Sequence, residues 1–181
     1  VNADGTRNLA QAAKAVGAKF IHISTDYVFN GYSRIPYTET DAPNPQGIYG
    51  QSKLAGELLA LTTGANVLII RTAWIFSEYG RNFVKTMLRL SETRDEISVV
   101  ADQKGSPTYT PDAARLICDM IATEKYGVYQ ASNEGVCSWH AFATEIMRLA
   151  GRETFIRPIT TSEYPTRARR PQNSEFSKKE L

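Results

Sequence analysis

An α/β fold built on a parallel sheet is what this sequence predicts, and three observations carry the expectation. Segments with helical apolar spacing alternate with short strand-like runs along most of the chain. Those runs are continuously apolar, as in strands covered on both faces. The composition of the 181 residues, 42% hydrophobic and 22% charged, is that of an ordinary globular chain. Collagenous repeats, coiled coils and disordered tails are thereby excluded, and no apolar run approaches the ~20 residues that span a bilayer. Lys+Arg 21 against Asp+Glu 19 leaves a net +2, too little to imply a nucleic-acid or membrane partner.

The elements follow in order. Leu9, Ala12, Ala13 and Val16 recur at helical spacing, and Gly17 is a natural stop. FIHIS then reads as a buried strand, QSKLAGELLALTT as a helix closed by Gly64, and NVLIIRT as a second continuous strand. A helix around RNFVKTMLRLSE, a strand ISVV and a helix PDAARLICDMIA opened by Pro111 come next. The strand GVYQAS and the helix SWHAFATEIMRLAG, stopped by Gly151, complete the regular part. Two long loops break the rhythm. One runs from Asn30 to Gln46 with Pro36, Pro43 and Pro45; the other runs from Ile159 to Pro171 with Arg167, Arg169 and Arg170. Loops of that length in a compact fold are often functional.

Cys118 and Cys137 are separated by 18 residues with no CxxC or Cys/His clustering. That argues against a disulfide framework and a zinc site, and makes a reducing cytoplasm the default. Cys118, inside ARLICDMI, reads as a small packed hydrophobe. His22 and His140 have no partner at ligand spacing, and neither receives a role. Glu39, Glu57 and Glu78 are too scattered to define a metal site, so no metal ligand is assigned.

The most informative segment is Tyr49-Gly50-Gln51-Ser52-Lys53. On a helix, positions i and i+4 share a face, so the phenol and the ammonium point the same way. A free phenol titrates near ~10, and a neighbouring cation favours the phenolate, bringing the group closer to the pH at which it exchanges protons. Upstream, HISTDYVFNG ends a strand in Ser24, Thr25 and Asp26, and ligands of open α/β sheets bind beyond the carboxyl ends of the strands. The same three residues also suit a plain turn cap. Likewise, Trp74 in RTAWIF reads equally as a core aromatic, Gly105 and Pro107 as turn residues, and the arginine cluster as a solvated face.

STDYVF, YGQSK with Tyr49 lying 24 residues after Thr25, RTAWIF and DQKGSPTYT together resemble the extended short-chain dehydrogenases/reductases, and among them the dTDP-4-dehydrorhamnose reductases. The likeness runs from VNADGTRNLA to RPQNSEF. It implies a partial Rossmann-like, doubly wound parallel sheet with a smaller C-terminal substrate-binding region. Residues 1–100 would be the later part of the dinucleotide-binding domain, and residues 101–181 mainly the substrate-binding region, with some elements returning to the first domain.

The resemblance also implies roles. Tyr49 would give a proton to the sugar carbonyl oxygen, Lys53 would assist it and bond the nicotinamide ribose, and Thr25 would bond the reacting oxygen. Asn2 and Ser24 would lie on the cofactor side. Asp26, Trp74, Asn82, Gln103, Gly105, Ser106, Pro107, Thr108 and Arg170 would shape the dTDP-sugar pocket, Arg170 by pairing with the diphosphate. NADPH or NADH is the implied cofactor, with a homodimer and a magnesium ion at its interface as further family traits. The glycine-rich GxxGxxG turn that opens such domains is absent, and the chain starts at Val1. The expectation is therefore an N-terminally truncated chain of a protein of roughly 280 residues. With apolar strands left uncovered, it is expected to associate in isolation. Epimerisation or dehydration of a nucleotide sugar, and a non-catalytic regulatory subunit binding a partner enzyme, are the alternatives. A dehydratase would carry an acidic pair after the hydroxyl residue, whereas Thr25 is followed by Asp26 and Tyr27.

Overall fold

The computed structural model describes residues 1–166 and 168–181; Arg167, counted in the basic cluster above, lies outside them. The chain order is α1 (Asp4–Ala15), β1 (Lys19–Thr25), a 3-10 turn (Asp26–Val28), α2 (Ile48–Thr62), β2 (Asn66–Thr72), β3 (Ile75–Phe76), α3 (Phe83–Ser91) and β4 (Glu96–Val100). It continues with β5 (Lys104–Gly105), β6 (Thr108–Tyr109), α4 (Thr110–Ile121), β7 (Gly127–Ala131), β8 (Cys137–Ser138), α5 (Trp139–Leu149), β9 (Phe155–Ile159), a second 3-10 turn (Thr161–Glu163) and β10 (Asn173–Ser174).

The principal sheet is parallel, in the order β1-β2-β7, with Lys19 opposite Asn66, Thr25 opposite Thr72 and Thr72 opposite Ala131. Its central strand explains the continuous apolar run NVLIIRT. Val67 and Ile69 pack with Ala10 and Ala60 of α1 and α2, while Leu68 and Ile70 pack with Met120 of α4. Helices thus cover both faces, which is the doubly wound arrangement. Lys19 ties the layers together, donating to the Met120 and Ile121 carbonyls at 3.1 and 3.2 Å and to that of Thr123, at the C-terminal end of α4. The outer edge of β1 has no strand partner among the described residues.

A second layer forms around Met87, Ile97, Val99, Ala143, Ile146, Met147 and Ile156, joining α3 and α5 to the parallel pair β4-β9. The cap signals act as residue chemistry requires: Asn82 accepts from the Lys85 N–H and Ser138 from the Ala141 N–H. Strand β9 was not legible, because Pro158 interrupts its pattern; it pairs only with β4, the edge position where proline is tolerated.

Two expectations about packing change. Leu9 and Val16 are exposed, and α1 instead turns Thr6 and Ala10 inward, because its close contact with α2 admits only small side chains. Cys118 is exposed and Cys137 partly buried, both free thiols, so Cys118 lies on the outer face of α4 and not in the core. The proline-bearing loop is ordered by the chain's last residues: Tyr37 stacks on Phe29 at 4.2 Å, and its backbone exchanges bonds with Glu175 and Ser177. No helix among the described residues is long and apolar enough to cross a membrane.

Candidate active site

The carboxyl end of β1 and the first turns of α2 bring the expected chemistry together. Tyr49 sits in the first turn of α2, about half exposed, edge-on to Tyr27 with ring centroids 5.5 Å apart. Gly50 makes that placement possible: a Cβ there would lie 2.1 Å from the Tyr27 carbonyl oxygen, so no larger residue lets α2 begin this close to the turn after β1. Asn2 reaches across to the same turn, its amide donating to Ser52 Oγ at 3.1 Å while Ser52 donates to the Tyr49 carbonyl. Asn2 therefore steadies the helix that carries the tyrosine.

One turn on, the Lys53 ammonium donates to the Ile23 carbonyl of β1 and lies 3.5 Å from His22 Nε2. Burial lowers Lys53 from its ordinary value, and the Glu57 carboxylate partly offsets this. Burial, aided by the Lys53 charge, lowers His22 to about 4, so the imidazole is neutral near pH 7. Glu57, a further turn along, makes a buried bidentate pair with Arg71 of β2, at 3.0 Å to Nε and 2.6 Å to Nη2. Arg71 also lies over the Phe29 ring, 5.1 Å from its centroid. This pair fixes α2 to the sheet.

Thr25 combines both readings. It caps the 3-10 turn by accepting from the Tyr27 N–H at 3.3 Å, and its hydroxyl donates to Asp26 Oδ1 at 3.0 Å. Asp26 is 4% exposed and also accepts from Ser174 Oγ of β10. Burial raises Asp26 to about 6 against the opposing effect of those hydrogen bonds. Ser24 is buried, and its hydroxyl has no partner among the described residues.

The remaining expected residues surround Trp74. Its backbone adopts φ 50°, a region where non-glycine residues are strained, and its indole stacks on Trp139 at 3.6 Å. Gly105 covers the indole so closely that a Cβ would lie 2.7 Å from Cε2. Thr108 donates its N–H to the Trp74 carbonyl, and Ser106 donates to the Gly135 carbonyl. Pro107 joins these two short segments. An open groove of about 480 Å³ begins at Trp139 and Phe83 and is flanked by Gln103, Tyr164 and Arg170. Asn82 does not line it; as the cap of α3 it holds Phe83 there. Arg170 also borders a small cleft with Tyr27, placing a guanidinium between the tyrosine pair and the groove.

Tyr49 and Lys53 on α2 thus lie against the end of β1 that carries Thr25 and Asp26, Tyr49 through Tyr27 and Lys53 through Ile23, while the side chains of Ser106 and Asn82 bond backbone groups of nearby loops and helix ends. Sequence reasoning missed Ser174, Trp139, the Glu57–Arg71 pair and the His22 contact. Only RPQNSEF carried any signal for the first.

Comparison with known proteins matches residues 1–181, the whole chain, to the model of the RmlD substrate binding domain. The chain is 46% identical over 177 residues to the spore coat polysaccharide biosynthesis protein SpsK of Bacillus subtilis, covering 98% of this chain and 62% of that protein. It is 44% identical over 187 residues to a dTDP-4-dehydrorhamnose reductase of Sinorhizobium fredii, covering 97% and 63%. A crystal structure of dTDP-4-dehydrorhamnose reductase from Bacillus anthracis in complex with NADP superposes with a TM-score of 0.96 at 47% identity, over 100% of this chain and 64% of that one. The chain thus spans somewhat under two thirds of the length of these relatives. With the fold, the Tyr49–Lys53 geometry and a match along every residue in agreement, the chain belongs to the RmlD substrate-binding domain family.

Proposed function

We propose that the protein reduces the 4-keto group of dTDP-4-dehydro-L-rhamnose to give dTDP-L-rhamnose, using NADPH or NADH, in nucleotide-sugar synthesis for cell-surface polysaccharide. The observation that carries this reading is the half-exposed Tyr49 phenol, one helical turn from Lys53 and packed edge-on against Tyr27, two residues beyond the buried Thr25 that ends β1. The similarity to reductases along the whole chain supports it.

The residues fit a nicotinamide cofactor on two counts. The Lys53 ammonium has donors left beyond its bond to Ile23, suited to a ribose hydroxyl, and the buried Ser24 hydroxyl near the carboxyl end of β1 has no partner among the described residues. When bound, the reduced nicotinamide supplies the hydride to C4 of the sugar. Tyr49 gives its phenolic proton to the carbonyl oxygen, which becomes the hydroxyl. Lys53, one helical turn further along the same face of α2, holds its ammonium against the Ile23 carbonyl of β1. Arg170 sits where a diphosphate approaching the groove would meet a planar donor, and the stacked Trp74–Trp139 pair offers an apolar wall to the sugar or base. The division into 1–100 on the cofactor side and 101–181 on the substrate side is part of the same reading, as are a cytoplasmic location and a homodimer. No group of three or more His, Cys, Asp or Glu suited to a metal ion is present among the described residues, so the interface magnesium receives no ligands here.

The test is Tyr49→Phe in the complete protein, following NAD(P)H oxidation with the dTDP-keto sugar. Turnover should fall at least ~100-fold with cofactor binding retained. Undiminished turnover would refute the assignment, and cofactor binding without turnover in the unaltered protein would favour the regulatory-subunit reading.

A further inference from the structure

Asp26 is held by two hydroxyls from opposite ends of the chain, Thr25 on Oδ1 and Ser174 on Oδ2. All three side chains are buried. A carboxylate is planar, so anchoring one oxygen sets the direction of the other. Thr25 donates to Asp26 and accepts from the Tyr27 N–H, so the position of the Asp26 carboxylate sets the direction of the Thr25 hydroxyl.

We infer that Ser174 is a positioning residue for the reduction: acting through Asp26, it fixes the orientation of the Thr25 hydroxyl toward the sugar, while Tyr49 serves as the proton donor. The inference rests on the reductase reading above.

Ser174 is suited to this task because its backbone is fixed independently of its side chain. It lies in β10, paired with β5 through Asn173 opposite Lys104 and Ser174 opposite Gly105. The Asn173 N–H donates to the Gly31 carbonyl at 2.9 Å, and the Asn173 amide donates to the Ser33 carbonyl at 3.0 Å. None of these bonds involves the Ser174 hydroxyl. Removing it takes a donor from a buried carboxylate and frees that carboxylate to rotate, while the chain end stays in place.

The test uses the complete protein with the dTDP-keto sugar and NAD(P)H, with Tyr49→Phe as the control. Ser174→Ala should lower kcat about tenfold with KM for the sugar nucleotide changed less than about twofold, since the loss is of orientation and not of binding. Ser174→Thr, which keeps the hydroxyl, should recover most of kcat. In an Asp26→Asn background, Ser174→Ala should add less than about twofold, because the two act in one chain of contacts. A kcat near the unaltered value, a loss confined to KM, a threonine variant as impaired as the alanine one, or additive losses with Asp26→Asn would each overturn the inference. Absence of keto-sugar reduction in the unaltered protein, or full turnover in Tyr49→Phe, would instead remove the reductase reading and this inference with it.

Discussion

Asp26 and His22 lie four residues apart and respond to pH in opposite senses. Asp26 is raised from 3.8 to about 6, chiefly by burial, so the folded state holds its proton more tightly than the unfolded chain. Its contribution is fully present below about pH 4 and is lost as pH rises through about 6, a change on the order of 3 kcal/mol. His22 is lowered from 6.5 to about 4 by burial and by Lys53. Its contribution is present above pH 6.5 and is lost as pH falls through 4. The two oppose each other between pH 4 and 6. Asp26→Asn leaves only the His22 effect, so urea-unfolding midpoints of that variant should climb more steeply from pH 4 to 6 than those of the unaltered chain; parallel curves would contradict this. The Tyr49–Lys53 pair was legible because four residues of one helix bring the groups together. Ser174 was not, since its partner Asp26 is 148 positions away and only the folded chain joins them.

Two helices approach backbone to backbone where α1 crosses α2, and a glycine permits it. A Cβ on Gly56 would lie 2.1 Å from the Asn2 carbonyl oxygen and 3.1 Å from Thr6 Oγ1. Gly56→Ala should therefore cost about 1–3 kcal/mol, seen as a lower thermal midpoint. Gly50→Ala meets the Tyr27 carbonyl and shifts the turn bearing Tyr49, so its turnover should fall further than its stability does. Glu57→Gln strands the buried Arg71 guanidinium and should cost about 3–5 kcal/mol by denaturant unfolding. At this scale the long helices and the central strand were readable from periodicity. Strand β9 and the two-residue strands were not, because their existence depends on partners distant in sequence.

For the molecule as a whole, the sheet order β1-β2-β7 leaves the outer edges of β1 and β7 without strand partners among the described residues, and on the surface Leu9 is 63% and Val16 79% exposed. Unpaired strand edges and exposed apolar side chains both favour association. The 181-residue polypeptide should therefore sediment as dimers or larger species at micromolar concentration, and a stable monomer would contradict this. The same sheet order bears on how the chain folds. β2 ends at Thr72 and its neighbour β7 begins only at Gly127, with α3, β4 and α4 between them. The sheet that carries Thr25 closes only after the chain has left to start another layer and come back. Closing so long an excursion is entropically slow. Refolding of the chain should therefore be limited by the late pairing of β7, and a destabilising change on the outer face of α4 should slow it, seen as a slower refolding phase in stopped-flow fluorescence; an unchanged rate would contradict this.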